Sequence, residues 1–263
     1  MPTKNNQKNE NIVNNNNENN LNNEEVVFGN VASIETTGFL DGPGLRVMVF
    51  MQGCPLRCLF CHNPENLQFK LEKNLMTPTQ VYNRIKRYTP FFNTSGGVTF
   101  SGGEPLMQPE FLKEVITLCK ENSIHTALDT SGVADNFEEV LDIVDLVILD
   151  IKSCEDDMYK YITGLPIDKF NNFLKVCQEK KKTLWLRQVI TPGINDSEEY
   201  ILKLAEYIKK INYVEKVELL PYHNMAKDKY KKLGMKYRLE DTPNMDKQKC
   251  RELERLLLKK IKE

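Results

Sequence analysis

From Arg46 onward the chain alternates between two hydrophobic rhythms, and this alternation limits the available folds more than any other feature. Short apolar runs at 46–50 (RVMVF), 98–100, 125–129, 145–151 (DLVILDI), 184–190 and 217–220 read as buried strands. Between and after them, residues 77–88, 109–122, 137–143, 170–180, 197–211 and 247–261 carry helical spacing. In 109–122, for example, Phe111, Leu112, Val115, Ile116 and Cys119 fall on one stripe. Strands alternating with helices imply a parallel sheet wrapped by helices. About six core strands are too few for a closed eight-stranded barrel. The expected fold is therefore α/β, a partial (open) parallel β/α barrel of about six strands with an outer layer of helices. Residues 31–39 read as an initial strand or hairpin ahead of it.

In such folds the working residues gather beyond the C-terminal ends of the strands. Every polar motif of this chain falls there. A cysteine loop follows the first core strand, Ser101-Gly102-Gly103-Glu104 the second, Asp129-Thr130-Ser131 the third and Asp150-Ile151-Lys152 the fourth. Arg187 lies on the fifth strand, and Pro221-Tyr222-His223 follows the sixth. One Gly-Gly-Glu or one lysine at a strand end is ordinarily a turn or a solvated charge. Six motifs on one rim make a site.

The cysteine loop carries the sharpest chemistry. Gly53-Cys54-Pro55-Leu56-Arg57-Cys58-Leu59-Phe60-Cys61-His62-Asn63 has C-x3-C-x2-C spacing. Three thiolates so close can occupy three corners of an iron–sulfur cube and leave the fourth iron open for a small chelating ligand. A structural zinc site of three cysteines plus His62 is the alternative; adjacent Cys61 and His62 would ligate one ion only with strain. The other four of the seven cysteines, Cys119, Cys154, Cys177 and Cys250, are scattered and read as small buried hydrophobes. An odd count argues against a disulfide framework.

These motifs, with Asp41-Gly42-Pro43-Gly44, GCPLRCLFCHN at 53–63, GGVTFSGGEP at 96–105, IHTALDTSG at 124–132, DLVILDIK at 145–152, LWLRQVITPG at 184–193 and VEKVELLPYH at 214–223, resemble the radical SAM superfamily and within it the glycyl-radical enzyme activases. The resemblance runs from about Val31 to Leu257. It implies one 4Fe–4S cluster on Cys54, Cys58 and Cys61. It also implies S-adenosylmethionine (SAM) chelated to the open iron, cleaved by one electron to a 5′-deoxyadenosyl radical that takes a hydrogen from a glycine of pyruvate formate-lyase. Cluster and SAM carry the chemistry, so no side chain is expected to be catalytic in itself. Phe60, Cys61 and His62 match positions near the adenine end of SAM, and Gly102, Gly103 and Glu104 the segment at its amino group. Asp129, Asp150, Ile151 and Lys152 match positions around ribose and carboxylate, with Arg187 and His223 as further contacts. A monovalent-cation site is implied near Asp129, Thr130 and Asp150. Asp41, Gly42, Pro43 and Gly44 match a contact with the partner's glycine-radical loop; by itself the segment reads as a tight turn. The implied electron donor is a low-potential flavodoxin or ferredoxin.

Residues 62–101 contain no cysteine, which disfavours activases with an inserted ferredoxin-like segment. Activation of another glycyl-radical enzyme, or a zinc domain for protein interaction, remain the alternatives. A net charge of −1 suggests no nucleic-acid partner. The absence of a long apolar run predicts no membrane span, and the lack of an apolar signal core points to the cytoplasm. A monomer is expected. Twelve of the first 25 residues are asparagine, and 1–25 reads as a disordered tail ahead of a single domain at 26–263.

Overall fold

A computed structural model describes residues 26–69 and 74–263; the tail expected over 1–25 lies outside the described residues. The chain enters with β1 (Gly29–Gly38), turns, and returns antiparallel as β2 (Arg46–Met51). A two-residue strand, β3 (Leu75–Met76), pairs with the free edge of β1. Helix α1 (Pro78–Lys86) starts at a capping box, in which Thr77 Oγ1 accepts from the Gln80 N–H and the Gln80 side chain accepts from the Thr77 N–H.

There follow β4 (Gly97–Gly102), α2 (Pro109–Glu121), β5 (His125–Thr130), α3 (Glu138–Ile143) and β6 (Leu146–Asp150). Two helices, α4 (Asp156–Thr163) and α5 (Asp168–Glu179), lead to β7 (Leu184–Ile190), and α6 (Glu198–Ile208) leads to β8 (Val214–Pro221). A short α7 (Lys227–Lys232) and the closing α8 (Lys247–Lys262) complete the chain. The sheet has eight strands in the order β3-β1-β2-β4-β5-β6-β7-β8. The run from β2 to β8 is parallel throughout, so the six expected core strands form the barrel and β1 and β3 extend it antiparallel. Among the described residues β3 and β8 are unjoined edges, which leaves the barrel open.

The period of two sorts each strand's side chains onto two faces. Val98, Phe100, Leu128, Val147, Leu149, Leu184 and Leu186 point to the helices and join one large core. Ala127, Leu146, Ile148 and Trp185 form a separate small cluster on the concave face. Moving two residues further along the same face changes the chemistry from apolar to polar: Ala127 gives way to Asp129, Ile148 to Asp150, Trp185 to Arg187. The strands thereby deliver a charged layer to the C-terminal rim. No helix among the described residues is long and apolar enough to cross a membrane.

Two helices escape the sequence pattern. α4 buries only Tyr159, Ile162 and Thr163 and stops at Gly164, whose φ of 83° makes a left-handed cap. α7 (KDKYKK) buries Tyr230 alone, so no apolar stripe announces it.

Candidate active site

Past Met51 the chain leaves β2 into the cysteine loop, which neighbouring elements fix on two sides. On one side, the Gly103 and Glu104 N–H groups donate to the carbonyls of Met51 and Gly53, each at 2.8 Å. On the other, the Arg57 and Leu59 N–H groups donate to Thr163 and Ile162 at the end of α4, at 2.8 and 2.9 Å. Leu56, Leu59 and Phe60 are buried and root the loop in the core. The result is a cavity of about 190 Å³ whose wall includes Cys54, Cys58 and Cys61. Burial pushes the Cys54 thiol up to about 12 and the Cys58 thiol up to about 11, and raises Cys61 as well. The Lys152 cation opposes the shift at Cys58 and Cys61.

Phe60, His62, Gly102, Gly103, Asp129, Thr130, Asp150 and Lys152 share this wall, as expected from sequence. Glu104, Ile151, Arg187 and His223 stand off it, each for a definable reason. A Cβ on Gly102 or Gly103 would collide with backbone of Met51 or Gly53. The two glycines thus let the β4 turn close on the cysteine loop. The turn carries Glu104 inward, where it is fully buried. Its carboxylate accepts from Thr130 Oγ1 at 2.6 Å, the Ser131 hydroxyl at 2.5 Å and the N–H groups of Ser131 and Leu106 at 2.9 and 3.2 Å. Burial raises its pKa, and these four donors pull against that shift. With both oxygens so engaged, the side chain holds the end of β5 and has no room for the ammonium contact expected of it. Ile151 follows Asp150, so its side chain turns to the helix-facing core.

Asp129, Asp150, Lys152 and Arg187 form the charged layer. Ser101 Oγ donates to Asp129 Oδ2 at 2.6 Å, and Lys152 Nζ meets Asp150 Oδ2 at 2.6 Å while lying 5.5 Å from the Phe60 ring centre. Asp129 is pushed up to about 7, first by burial and then by the charge of Asp150, against the pull of Arg187. Burial would lower Lys152, but the charge of Asp150 outweighs it and the ammonium is held well above its usual range. Arg187, a buried cation, faces the other way. Its Nη1 bonds Asp41 Oδ1 at 3.0 Å, its Nε bonds Glu218 Oε2 at 3.1 Å, and Nη2 donates to the Leu40 carbonyl.

That grip falls on the Asp41-Gly42-Pro43-Gly44 turn. The same turn is held from below: Thr99 Oγ1 donates to the Asp41 carbonyl at 2.6 Å and Arg46 Nη1 to the Pro43 carbonyl at 3.1 Å. Gly42 and Gly44 adopt φ of 126° and 68°, and a Cβ on Gly44 would strike Gly96. The turn expected from sequence is present and rigidly seated, tied to β2 through Arg46, to β4 through Thr99 and to β7 through Arg187.

His62 and His223, each expected as a SAM contact, pack against one another with ring centres 3.9 Å apart and planes tilted by 44°, and His62 Nε2 lies 3.1 Å from the His223 carbonyl. Burial lowers both pKa values, with His223 adding to the effect at His62. Among the described residues, His223 Nδ1 is buried without a hydrogen-bond partner. Lys229 on α7 clamps the loop by donating to the His62 carbonyl at 2.9 Å and pairing with Glu65 at 2.6 Å.

The model of the radical SAM superfamily matches residues 48–205. A pyruvate formate-lyase-activating enzyme of Clostridium pasteurianum is 50% identical over 234 residues, spanning 88% of this chain and 98% of that relative. One of Staphylococcus aureus (strain USA300) is 42% identical over 227 residues, spanning 83% and 90%. The chain belongs to the radical SAM superfamily, in the family of pyruvate formate-lyase-activating enzymes. A solved radical SAM methyltransferase of Sphaerobacter thermophilus shares the fold, with a TM-score of 0.61 at 16% identity over 86% of this chain and 66% of that one.

A radical SAM protein of this family uses a 4Fe–4S cluster and SAM, and the site fits both. The three thiols share one wall, yet among the described residues no three His, Cys, Asp or Glu side chains converge as ligands of a single ion. Separate corners of a cube need no such convergence. The raised thiols stay protonated until iron displaces the protons. A cationic Lys152 and backbone of Gly102 and Gly103 in the same cavity suit a zwitterionic ligand.

Three residues of the site were not singled out from the sequence. Ser101 shares the inward face with Thr99, and strand period alone would have found it. Tyr230, beside the Cys61 thiol, sits on a helix without a pattern. Arg46 opens a strand whose other residues are apolar; it is fully buried and bonds Thr99 Oγ1 at 2.6 Å and the Val98 carbonyl at 2.5 Å.

Proposed function

We propose that this chain activates pyruvate formate-lyase by generating a glycyl radical on it, with the cluster carried by Cys54, Cys58 and Cys61. The observation that carries the reading is the convergence of these three thiols with Lys152, Asp129 and Asp150 on one cavity beside the seated Asp41–Gly44 turn. The names of the relatives supply the substrate. When bound, the cluster and SAM supply one-electron cleavage of the sulfonium C–S bond and a primary carbon radical able to abstract hydrogen.

The chain's own residues bind, orient and exclude water. Lys152 offers a charge-assisted contact to the SAM carboxylate, and Asp150 fixes its ammonium. Gly102 and Gly103 present backbone to the amino group at close range. Phe60 and His62 flank the adenine, with His223 packed behind His62 as a support. Glu104 holds Thr130 and Ser131 in place and is a positioning residue. A monovalent cation near Asp129, Thr130 and Asp150 is supported by two carboxylates facing one wall. The Asp41–Gly44 turn, fastened by Arg187, Thr99 and Arg46, receives the partner's loop. A flavodoxin or ferredoxin supplies the electron, and the protein works as a cytoplasmic monomer.

The test is electron paramagnetic resonance of an anaerobic mixture of this protein, SAM, a strong reductant and pyruvate formate-lyase. A glycine-centred doublet is expected. SAM consumption without that signal, together with activation of a different glycyl-radical enzyme, would overturn the choice of partner. Zinc without sulfide in the purified protein would overturn the chemistry.

A further inference from the structure

The net charge of the chain is −1, yet residues 227–238 (KDKYKKLGMKYR) hold six basic side chains and one acidic one. The excess is local and only partly offset. Among the described residues, Lys229 and Lys227 are used in ion pairs with Glu65 and Glu240, while Lys231, Lys232 and Lys236 have none. All three are exposed. Arg238 extends the patch onto α4, with its guanidinium 5.7 Å from the Tyr161 ring.

The position of this segment sets it apart from an ordinary solvated lysine run. Tyr230, between Lys229 and Lys231, is buried and lies beside the Cys61 thiol. α4 holds the other side of the cysteine loop through the Thr163 and Ile162 carbonyls. The basic surface is therefore the outer skin of the loop whose inner face bears the thiols. It also exposes apolar side chains where charge would be expected. Met225 and Leu233, just beyond either end of α7, are 75% and 41% exposed. A charged rim around a small apolar spot is the pattern of a protein-docking face.

From this juxtaposition we infer that α7 and the segment after it form the docking surface for an acidic flavodoxin. The inference rests on the proposed cluster site. A flavin presents an apolar ring edge, which suits Met225 and Leu233, and an acidic surface around it suits the lysines. The bound cluster would take one electron from the reduced flavin, and this face is the outer side of the loop that would hold it. Opposite charge on the two faces raises the rate of encounter and fixes orientation, and salt weakens it.

The experiment measures the affinity of a purified acidic flavodoxin for the cluster-loaded protein, by surface plasmon resonance at low and high salt. The parent is compared with the triple variant Lys231→Glu, Lys232→Glu, Lys236→Glu. Binding to the parent is expected to weaken with salt, and the variant to bind about tenfold more weakly or worse. Reductive SAM cleavage driven by dithionite should be the same in both. Equal flavodoxin affinity for parent and variant, or no binding to the parent, would overturn the inference. So would loss of dithionite-driven cleavage in the variant, or a loss of affinity for pyruvate formate-lyase alone. Because binding is read without pyruvate formate-lyase, a missing glycyl radical would count against the proposed function and leave the docking result standing.

Discussion

Replacing Glu104 by alanine separates a residue that touches SAM from one that holds the site in shape. The side chain is fully buried and receives four hydrogen bonds. Removing it leaves two backbone donors, the N–H groups of Leu106 and Ser131, that cannot turn elsewhere. Each buried donor left unmet costs about 1–3 kcal/mol. The Thr130 and Ser131 hydroxyls can rotate to other acceptors and lose less. Relief of the buried carboxylate's own desolvation offsets part of the loss. A net destabilisation of about 2–4 kcal/mol follows, a large share of the roughly 5–15 kcal/mol that keeps a domain folded. For a chain of this size that lowers the melting temperature by on the order of 10 °C.

The assay is thermal unfolding monitored by circular dichroism, run beside equilibrium SAM binding to the reconstituted protein. Glu104→Gln keeps the shape, and its amide nitrogen meets at least one N–H or hydroxyl that needs an acceptor. It should fall between parent and Glu104→Ala in both measurements. A Glu104→Ala variant that melts within about 2 °C of the parent while SAM affinity collapses would refute the holding role and restore a direct ligand contact.

Alanine at Cys54, Cys58 or Cys61 should abolish the brown chromophore and SAM cleavage, while alanine at the buried Cys119 or Cys250 leaves both; a full reducible cluster in Cys58→Ala, seen by absorbance and iron analysis, would contradict the ligand set. Gly103→Ala drives a Cβ into the Gly53 carbonyl and should cut the iron bound per chain severalfold without changing helix content by circular dichroism. Asp41→Asn weakens the tie to Arg187 and should reduce the yield of glycyl radical more than it reduces SAM cleavage in the absence of a protein substrate; equal losses would place Asp41 in the SAM site.

Much of this architecture was legible because the two periodicities differ. RVMVF and DLVILDI cannot present one apolar face at helical spacing, and the stripe from Phe111 to Cys119 cannot alternate as a strand. The rim followed from topology: once the strands are parallel, whatever follows each of them lands on one end. α4 and α7 stayed hidden because each is short, α4 burying three side chains and α7 one. Glu104 and Ile151 illustrate a different limit. Both stand in motifs at the rim, yet a one-residue step along a strand reverses the face, and a pair of glycines turns Glu104 inward. Sequence placed them near the site; only the path of the backbone decides which way they point.

Arg46 and Arg187 show the same limit acting over distance. A buried guanidinium is tolerated only where acceptors surround it, and those come from 53 residues away at Thr99 and 146 residues away at Asp41. Between them the two arginines and Thr99 fix the carbonyls of Leu40, Asp41 and Pro43 and the carboxylate of Asp41. A turn with that many of its polar groups engaged does not reshape itself around a visitor. If it receives the partner's glycine loop, as proposed, the adjustment falls on the partner, whose loop must leave its own fold and be ordered on a preformed edge. The exposed Phe39 and Leu40 beside the turn, 71% and 78% accessible, then have a physical use. Apolar burial there offsets ordering entropy that a chain of net charge −1 cannot offset by long-range attraction.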